Sequence, residues 1–329
     1  MLIRQILNLY PLRVSLTDYC NLSCFFCSNE GMDSSRRNKT FINISDLKYL
    51  IRTCQDNGLK TLALTGGDPT LHPQIEDILA FVNKLKIEKT FFHTNGISLN
   101  KKLIDNYLTH FSKIAVSIHS TNFATWHKLT GGTRKQFDSL MNNLDHLGRL
   151  ARKKQVRVEI KIVPVKGIND SIKNISDLLE FCNERNFYLK FLNFEPIVAE
   201  HLKYKLELSK IISKIKKLGG EPMPKPELFR GQDDYLPMNW FCYKKIKAVV
   251  IKIGCGEKDV CAACYKSNEI FVTPTLEIKP CHASSKTFPL RGAIKNKKPR
   301  EICRAIVRSR EFLKKTPGAE ASYWSINNQ

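Results

Sequence analysis

Three cysteines, Cys20, Cys24 and Cys27, stand as C-x3-C-x2-C within Tyr19-Cys20-Asn21-Leu22-Ser23-Cys24-Phe25-Phe26-Cys27. Grouped thiolates are ligands for soft metals and for iron–sulfur clusters. Three of them can ligate three irons of a cubane and leave the fourth iron open, which separates a cluster that binds a substrate from one that only carries electrons. The competing chemistry is zinc. A structural zinc site takes four ligands, and no fourth Cys or His lies close by in the sequence; His72 and His93 could join only through folding.

Two further motifs follow in order. Leu64-Thr65-Gly66-Gly67-Asp68-Pro69 combines a carboxylate with paired glycines, and Thr94-Asn95-Gly96 follows an apolar run, as Ser117 does further on. Glycines let the backbone approach a ligand closely, although a plain turn explains a lone Gly-Gly equally well. A second group of thiols comprises Cys255, Cys261, Cys264 and Cys281. Cys54, Cys182 and Cys303 fall singly on apolar helix faces, where a cysteine behaves as a small hydrophobe. Cys242 is open to either reading. Eleven cysteines in a chain without secretory signals point to metal or redox chemistry rather than disulfides.

The elements that must position these residues are legible from periodicity. Short apolar runs at 12–16, 61–64, 90–93, 114–118, 156–165 and 188–194 alternate with helical patterns at 45–57, 75–85, 103–109, 135–154 and 172–184. Strands separated by helices predict a parallel sheet, and six such units predict an open (β/α)6 barrel. In that architecture reacting groups belong at the carboxyl ends of the strands, where the motifs fall. A Gly/Pro-rich stretch at 219–226 predicts a boundary, giving a barrel over 1–219 and a small cysteine-rich unit over 220–329. That second part carries β-like runs at 247–253 and 270–273 and a closing helix at 300–315.

A net charge of +22 implies an anionic partner or a habitat effect, and nucleic acid, a nucleotide, an acidic peptide and a small carboxylate are all consistent with it. Lysines are spread along the chain without the aromatic interleaving of a nucleic-acid module, so a nucleic-acid partner is not expected. The partly apolar start, MLIRQILNLYPL, is too short for a membrane span and lacks a cleavage site, which predicts a cytoplasmic protein with no membrane association.

The C-x3-C-x2-C motif resembles the signature of the radical S-adenosylmethionine (SAM) superfamily, and Phe26 matches the aromatic residue usual before the third cysteine. That resemblance implies a [4Fe–4S] cluster on Cys20, Cys24 and Cys27 whose open iron chelates SAM. It also implies SAM contacts from Gly66, Gly67, Thr94, Asn95 and Ser117. Asp68 stands where the superfamily has a glutamate, one methylene longer, beside the amino group of SAM. The chain is more narrowly similar to the GTP cyclase family of molybdenum-cofactor biosynthesis. Leu12-Arg13-Val14-Ser15-Leu16-Thr17-Asp18, Thr65–Pro69, Lys166-Gly167-Ile168-Asn169-Asp170 and Lys258-Asp259-Val260-Cys261-Ala262-Ala263-Cys264 carry this likeness. It implies a second, auxiliary [4Fe–4S] cluster on Cys261, Cys264 and Cys281. Cys255 is additional and could be a fourth ligand; a zinc knuckle on the same four thiols is the competing reading. A β-hairpin fits between Cys264 and Cys281. The spacing here is C-x2-C-x16-C, against C-x2-C-x13-C in the family.

The phosphate-gripping positions depart from the family. Tyr265-Lys266-Ser267-Asn268-Glu269-Ile270 replaces its arginine series, Thr61 and Ala63 replace basic residues, and the chain ends without a Gly-Gly tail. Glu159 aligns with a family lysine, Lys161 lies two residues on along the same strand face, Arg13 is kept, and Lys190 takes the place of an arginine. The expectation is a radical SAM enzyme acting on an anionic small-molecule or nucleotide-like substrate other than GTP, with Arg13 and Lys161 binding substrate and Lys190 at the cofactor. A one-electron reductant such as flavodoxin or ferredoxin would serve it. A peptide-modifying radical SAM enzyme is the alternative. A zinc-dependent nucleic-acid-binding protein is the rival from another class, and it leaves the Gly-Gly-Asp-Pro and Thr-Asn-Gly motifs without a use.

Overall fold

The computed structural model describes residues 3–27, 32, 39–196, 199–227, 236–252, 269–282 and 284–315. Six strands, β1 (Leu12–Ser15), β2 (Thr61–Thr65), β3 (Lys89–Thr94), β4 (Lys113–Ser117), β5 (Val158–Ile162) and β6 (Tyr188–Leu192), pair in chain order, all parallel. Parallel neighbours need crossover connections. These are supplied by α2 (Ile44–Asp56) after β1, α3 (Ile75–Asn83), α4 (Lys101–Asn106), the pair α5 (Phe123–Thr130) and α6 (Arg134–Arg152), and α7 (Ile172–Arg185). A short α1 (Ile3–Leu9) precedes β1. This is the partial barrel that the alternation predicts.

The two faces of the sheet differ in kind. Leu12, Val14, Leu62, Leu64, Phe92, Ile114, Val116, Ile160 and Leu189 belong to one buried core with apolar residues of the helices, such as Leu50 of α2 and Leu178 of α7. The strand registers align a second set on the opposite face: Arg13 beside Ala63, Phe91 beside Lys113, Ser117 beside Lys161, and Lys161 beside Lys190. Parallel strands covered on both faces read as continuous apolar runs. Charged residues at every second position mark a face that looks into a cavity.

Residues beyond 219 add strands to both edges of this sheet. After α8 (Leu208–Lys217), β7 (Glu221–Met223), β8 (Met238–Tyr243) and β9 (Ile246–Ile251) extend it beyond β6, with β9 parallel to β6. On the other edge β10 (Ile270–Val272) runs parallel to β1, and β11 (Glu277–Lys279) and β12 (Phe288–Pro289) follow antiparallel. The stretch at 219–226 contains edge strand β7, and the sheet continues across it without a break. Unpaired strand edges invite intermolecular pairing, so this coverage protects β1 and β6. Helices α9 (Arg291–Lys295) and α10 (Pro299–Lys315) close the described chain, with α10 packed on α1 and α2. The antiparallel β10–β11 pair is the hairpin expected ahead of Cys281. Among the described residues no helix is long and apolar enough to cross a membrane.

Candidate functional site

The cysteine loop leaves the carboxyl end of β1 and is held from three sides. Leu16 N donates to Thr65 O at 2.8 Å, Gly67 N to Thr17 O at 2.7 Å and Asp68 N to Tyr19 O at 2.8 Å, which ties the loop to the end of β2. A Cβ on Gly67 would fall 2.2 Å from Tyr19 O, and one on Gly66 would fall 2.6 Å from Thr17 O. No side chain fits there, so this close approach requires the paired glycines. From the second side, Ser23 N and Phe25 N donate to the carbonyls of Thr130 and Leu129 at the end of α5, at 2.8 and 3.3 Å. From the third, Gln136 closes the capping box of α6 with Thr133, and its Nε2 reaches Asn21 O at 3.0 Å.

Asp68 organises the next layer. It is fully buried. Its Oδ1 accepts from Thr70 N at 2.9 Å and from the Thr70 hydroxyl; its Oδ2 accepts from Thr94 Oγ1 at 2.8 Å and Asn95 N at 2.6 Å. Burial raises its pKa, and these donors oppose that shift. The carboxylate thus joins the end of β2 to the end of β3, and Asp68 is not among the residues that line the cavity described below. Asn95 continues the chain: its Nδ2 donates to Asn21 Oδ1 at 2.7 Å and lies 3.5 Å from Cys20 Sγ, while its Oδ1 accepts from Ile97 N at 3.0 Å.

A cavity of about 300 Å³ opens at this end of the barrel. Cys20, Cys24, Cys27, Phe26, Gly66, Gly67, Thr94, Asn95, Ser117, Arg13 and Lys161 all line it, so all but two of the barrel residues singled out from sequence converge there. Asp68 stands behind it, and Lys190 is the β6 neighbour of Lys161 without reaching its lining. The donor set fits an iron–sulfur cubane: three thiols at one cavity wall, with room beside them. Among the described residues no three Cys, His, Asp or Glu side chains gather tightly enough to share one metal ion; cubane thiolates each take a different iron. Burial, the Asp68 carboxylate and Cys27 push the Cys20 thiol up to about 11, while Asn95 opposes them. A thiol so placed ionises when a metal is bound to it, and hydrogen bonds to cluster sulfurs tune potential.

Two histidines of the cavity were not assigned a role by the sequence argument. His119 has a left-handed backbone (φ 64°), its ring meets Phe26 edge-on at 4.8 Å, and its Nδ1 accepts from Val163 N at 3.2 Å. Burial lowers it to about 4, so it is neutral at physiological pH with its proton on Nε2. His93, weighed only as a zinc ligand, has its Nδ1 2.9 Å from Lys161 Nζ, and its Nε2 is buried with no hydrogen-bond partner among the described residues. The signal for it was the alternation Phe91-Phe92-His93-Thr94, which turns His93 to the same face as Ser117 and Lys161. The same alternation points to Lys113 and Glu159, whose side chains pair at 3.3 Å and are each 5% exposed.

Arg13 is engaged by the chain itself. Its Nη1 donates to Glu269 Oε2 at 3.0 Å and its Nη2 to Thr65 Oγ1 at 3.3 Å. Cys281 lies two residues past β11. Lys279 pairs with Phe271 and Phe271 with Arg13, so Cys281 is on the side of the sheet away from the carboxyl end of β1. The cationic interior lies between Cys281 and the Cys20 loop. Cys255, Cys261 and Cys264 lie outside the described residues. Cys54 and Cys182 are buried core residues, as their apolar helix positions predict, and Cys303 is half-buried.

A model of the radical SAM superfamily matches residues 14–182, just over half of the chain. Among curated relatives, the probable GTP 3′,8-cyclase of Methanocaldococcus jannaschii is 27% identical over 62% of this chain and 65% of its own length, so the chain spans just under two thirds of that relative. The GTP 3′,8-cyclase of Clostridium acetobutylicum is 27% identical over 88% of this chain and 86% of its own. Among solved structures, Streptococcus suis SuiB bound to S-adenosylmethionine superposes with a TM-score of 0.63 at 17% identity, over 88% of this chain and 64% of SuiB. Native anSMEcpe with bound AdoMet gives 0.61 at 15% identity, over 93% of this chain and 83% of that one. At these identities the structures speak for the fold.

Proposed function

The chain belongs to the radical SAM superfamily, and from that premise we propose that it abstracts hydrogen from an anionic small-molecule or nucleotide-like substrate held in the barrel. The observation that carries this reading is the single cavity onto which the cysteine loop, the paired glycines and the cationic strand face all open. Cys20, Cys24 and Cys27 would hold the [4Fe–4S] cluster, and Gly66, Gly67, Thr94, Asn95 and Ser117 would lie against SAM. Held there by the three thiolates and given an electron, the cluster would supply the reductive cleavage of SAM from which hydrogen abstraction starts. The chain's own part is placement. Asp68 fixes the ends of β2 and β3 against the cysteine loop, Phe26 and His119 close one wall, and the enclosed interior limits side reactions with water. Arg13 and Lys190 supply positive charge beneath.

A second cluster on Cys261, Cys264 and Cys281, with Cys255 as a further candidate ligand, would sit at the far end of the barrel, with the substrate between the two. A flavodoxin or ferredoxin would deliver the electron, in the reducing cytoplasm that so many thiols require.

The substrate is not GTP on this reading. Glu269 stands within the segment where the relatives' arginine series would be, and it occupies Arg13 instead of adding to the cationic charge. A charge-assisted contact contributes about 1.5–3 kcal/mol, so losing several weakens triphosphate binding by orders of magnitude. Lysine lacks the bidentate fork that would compensate. Calorimetric titration of the anaerobically reconstituted protein with GTP tests this, followed by product analysis after reduction with SAM. Weak or absent binding is expected; micromolar affinity with a cyclised pterin precursor would overturn it.

A further inference from the structure

Lys161 differs from Lys113 and Arg13 in what its amine touches. Lys113 is paired with Glu159, and Arg13 with Glu269. Among the described residues no carboxylate lies within ion-pair distance of Lys161, and its hydrogen-bond partner is the imidazole of His93, at 2.9 Å. The side chain lines the cavity together with Arg13, Ser117 and the three cysteines. A lysine that serves as a fixed cation is normally given an anionic partner or open water. One that is desolvated and set beside other cations becomes a nucleophile, because its neutral form is favoured.

We propose that Lys161 forms an imine with the carbonyl carbon of its substrate, so that the anionic substrate class includes a small keto or aldehyde acid. This rests on the reading of the cavity as the substrate site. The groups facing the amine all act on its proton. Burial, then Arg13 of β1, Lys190 of β6 and Lys113 of β4 lower its pKa, Glu159 of β5 opposes them, and the result is about 7. His93 of β3 is itself held neutral, by burial and then by Lys161 and Arg13. About half of the amine is therefore unprotonated near neutral pH, against well under 1% for an ordinary lysine.

In the step itself the nitrogen lone pair adds to the carbonyl carbon and the C=O pair moves to oxygen. One proton passes from nitrogen through His93 Nδ1 to that oxygen to give the carbinolamine; the second nitrogen proton follows to the hydroxyl by the same route, and water leaves as the C=N bond forms. Nothing is oxidised or reduced. The substrate's carboxylate is drawn towards the cationic strand face that carries Arg13 and Lys190. The imine tethers the substrate while hydrogen is abstracted, and its electron-withdrawing carbon stabilises a radical on the adjacent atom.

The test treats the reconstituted holoenzyme with pyruvate as probe and cyanoborohydride at pH 7, then maps adducts by peptide mass spectrometry. We expect one reduced adduct at Lys161, exceeding any surface lysine by about tenfold or more, slowed by lactate and absent in Lys161→Arg, which keeps the charge. Labelling no greater at Lys161 than at surface lysines overturns the imine. If lactate still binds by calorimetry in that case, the anionic substrate site stands without it; if lactate fails to bind as well, both readings fall.

Discussion

Glu159 faces the barrel interior with Lys113 Nζ 3.3 Å from its Oε2. Burial by itself would raise its pKa, but Lys113, Lys190 and Lys161 outweigh that and hold it at about 2, below the 4.5 of a free glutamate. A carboxylate whose pKa is lower folded than unfolded stabilises the fold above the unfolded value and loses that contribution as pH falls through the folded one. Glu159 should therefore contribute about 3 kcal/mol at neutral pH, lost between pH 4.5 and 2. Urea unfolding of wild type and Glu159→Gln across this range checks it: the variant should be less stable at pH 7, by an amount that shrinks towards pH 2. A constant difference would mean that the ion pair contributes nothing. Residue roles were the least legible level of the sequence. Asp68 is a natural ligand for SAM's amino group on a motif reading, and its spacing gives no sign of the four hydrogen bonds it accepts from Thr70, Thr94 and Asn95, which satisfy a buried carboxylate. Which residue claims it is decided by the loops around it and not by its spacing. His119 had no motif to announce it; its place depends on a left-handed turn after β4.

Helices and strands were far more legible, since a hydrophobic repeat survives whatever the tertiary detail. The six barrel strands fall within a residue or so of their apolar runs at most ends; the fifth and sixth runs extend past Ile162 and Leu192 because their last apolar residues pack in loops. Helix α5 was missed because Phe123, Trp126 and Leu129 make only two turns, and α8 because its lysines mask Ile211 and Ile215. At this scale the junction of β2 with the cysteine loop is the critical contact. Gly67→Ala should drive a methyl group into the Tyr19 carbonyl, displace the loop and disrupt both the Gly67 N–Thr17 O and Asp68 N–Tyr19 O bonds. The expected outcome is a folded protein that retains little iron after anaerobic reconstitution and shows no SAM binding by calorimetry. Gly292→Ala is the control, because nothing lies within 4 Å of a Cβ there. Iron retention in Gly67→Ala equal to that of the control would contradict the packing argument.

On the scale of the molecule, the chain after residue 219 covers both exposed edges of the barrel sheet, and the cysteine-bearing stretch connects β9 at one edge to β10 at the other. Composition marked this part as distinct but carried no sign of which strand it would pair with, since edge pairing is a long-range choice. Two cubanes would bring about eight irons per chain. Replacing Cys261, Cys264 and Cys281 together by alanine should leave about four and preserve SAM cleavage while ending substrate turnover; an unchanged iron content would dismiss the auxiliary cluster. The central claim is that the Cys20 loop makes this chain a SAM-cleaving enzyme, and the direct measurement is 5′-deoxyadenosine release from SAM by anaerobically reconstituted protein under dithionite. The account predicts brown protein that releases 5′-deoxyadenosine, with the release abolished in Cys24→Ala. Colourless protein carrying stoichiometric zinc, or release unaffected by Cys24→Ala, would contradict it.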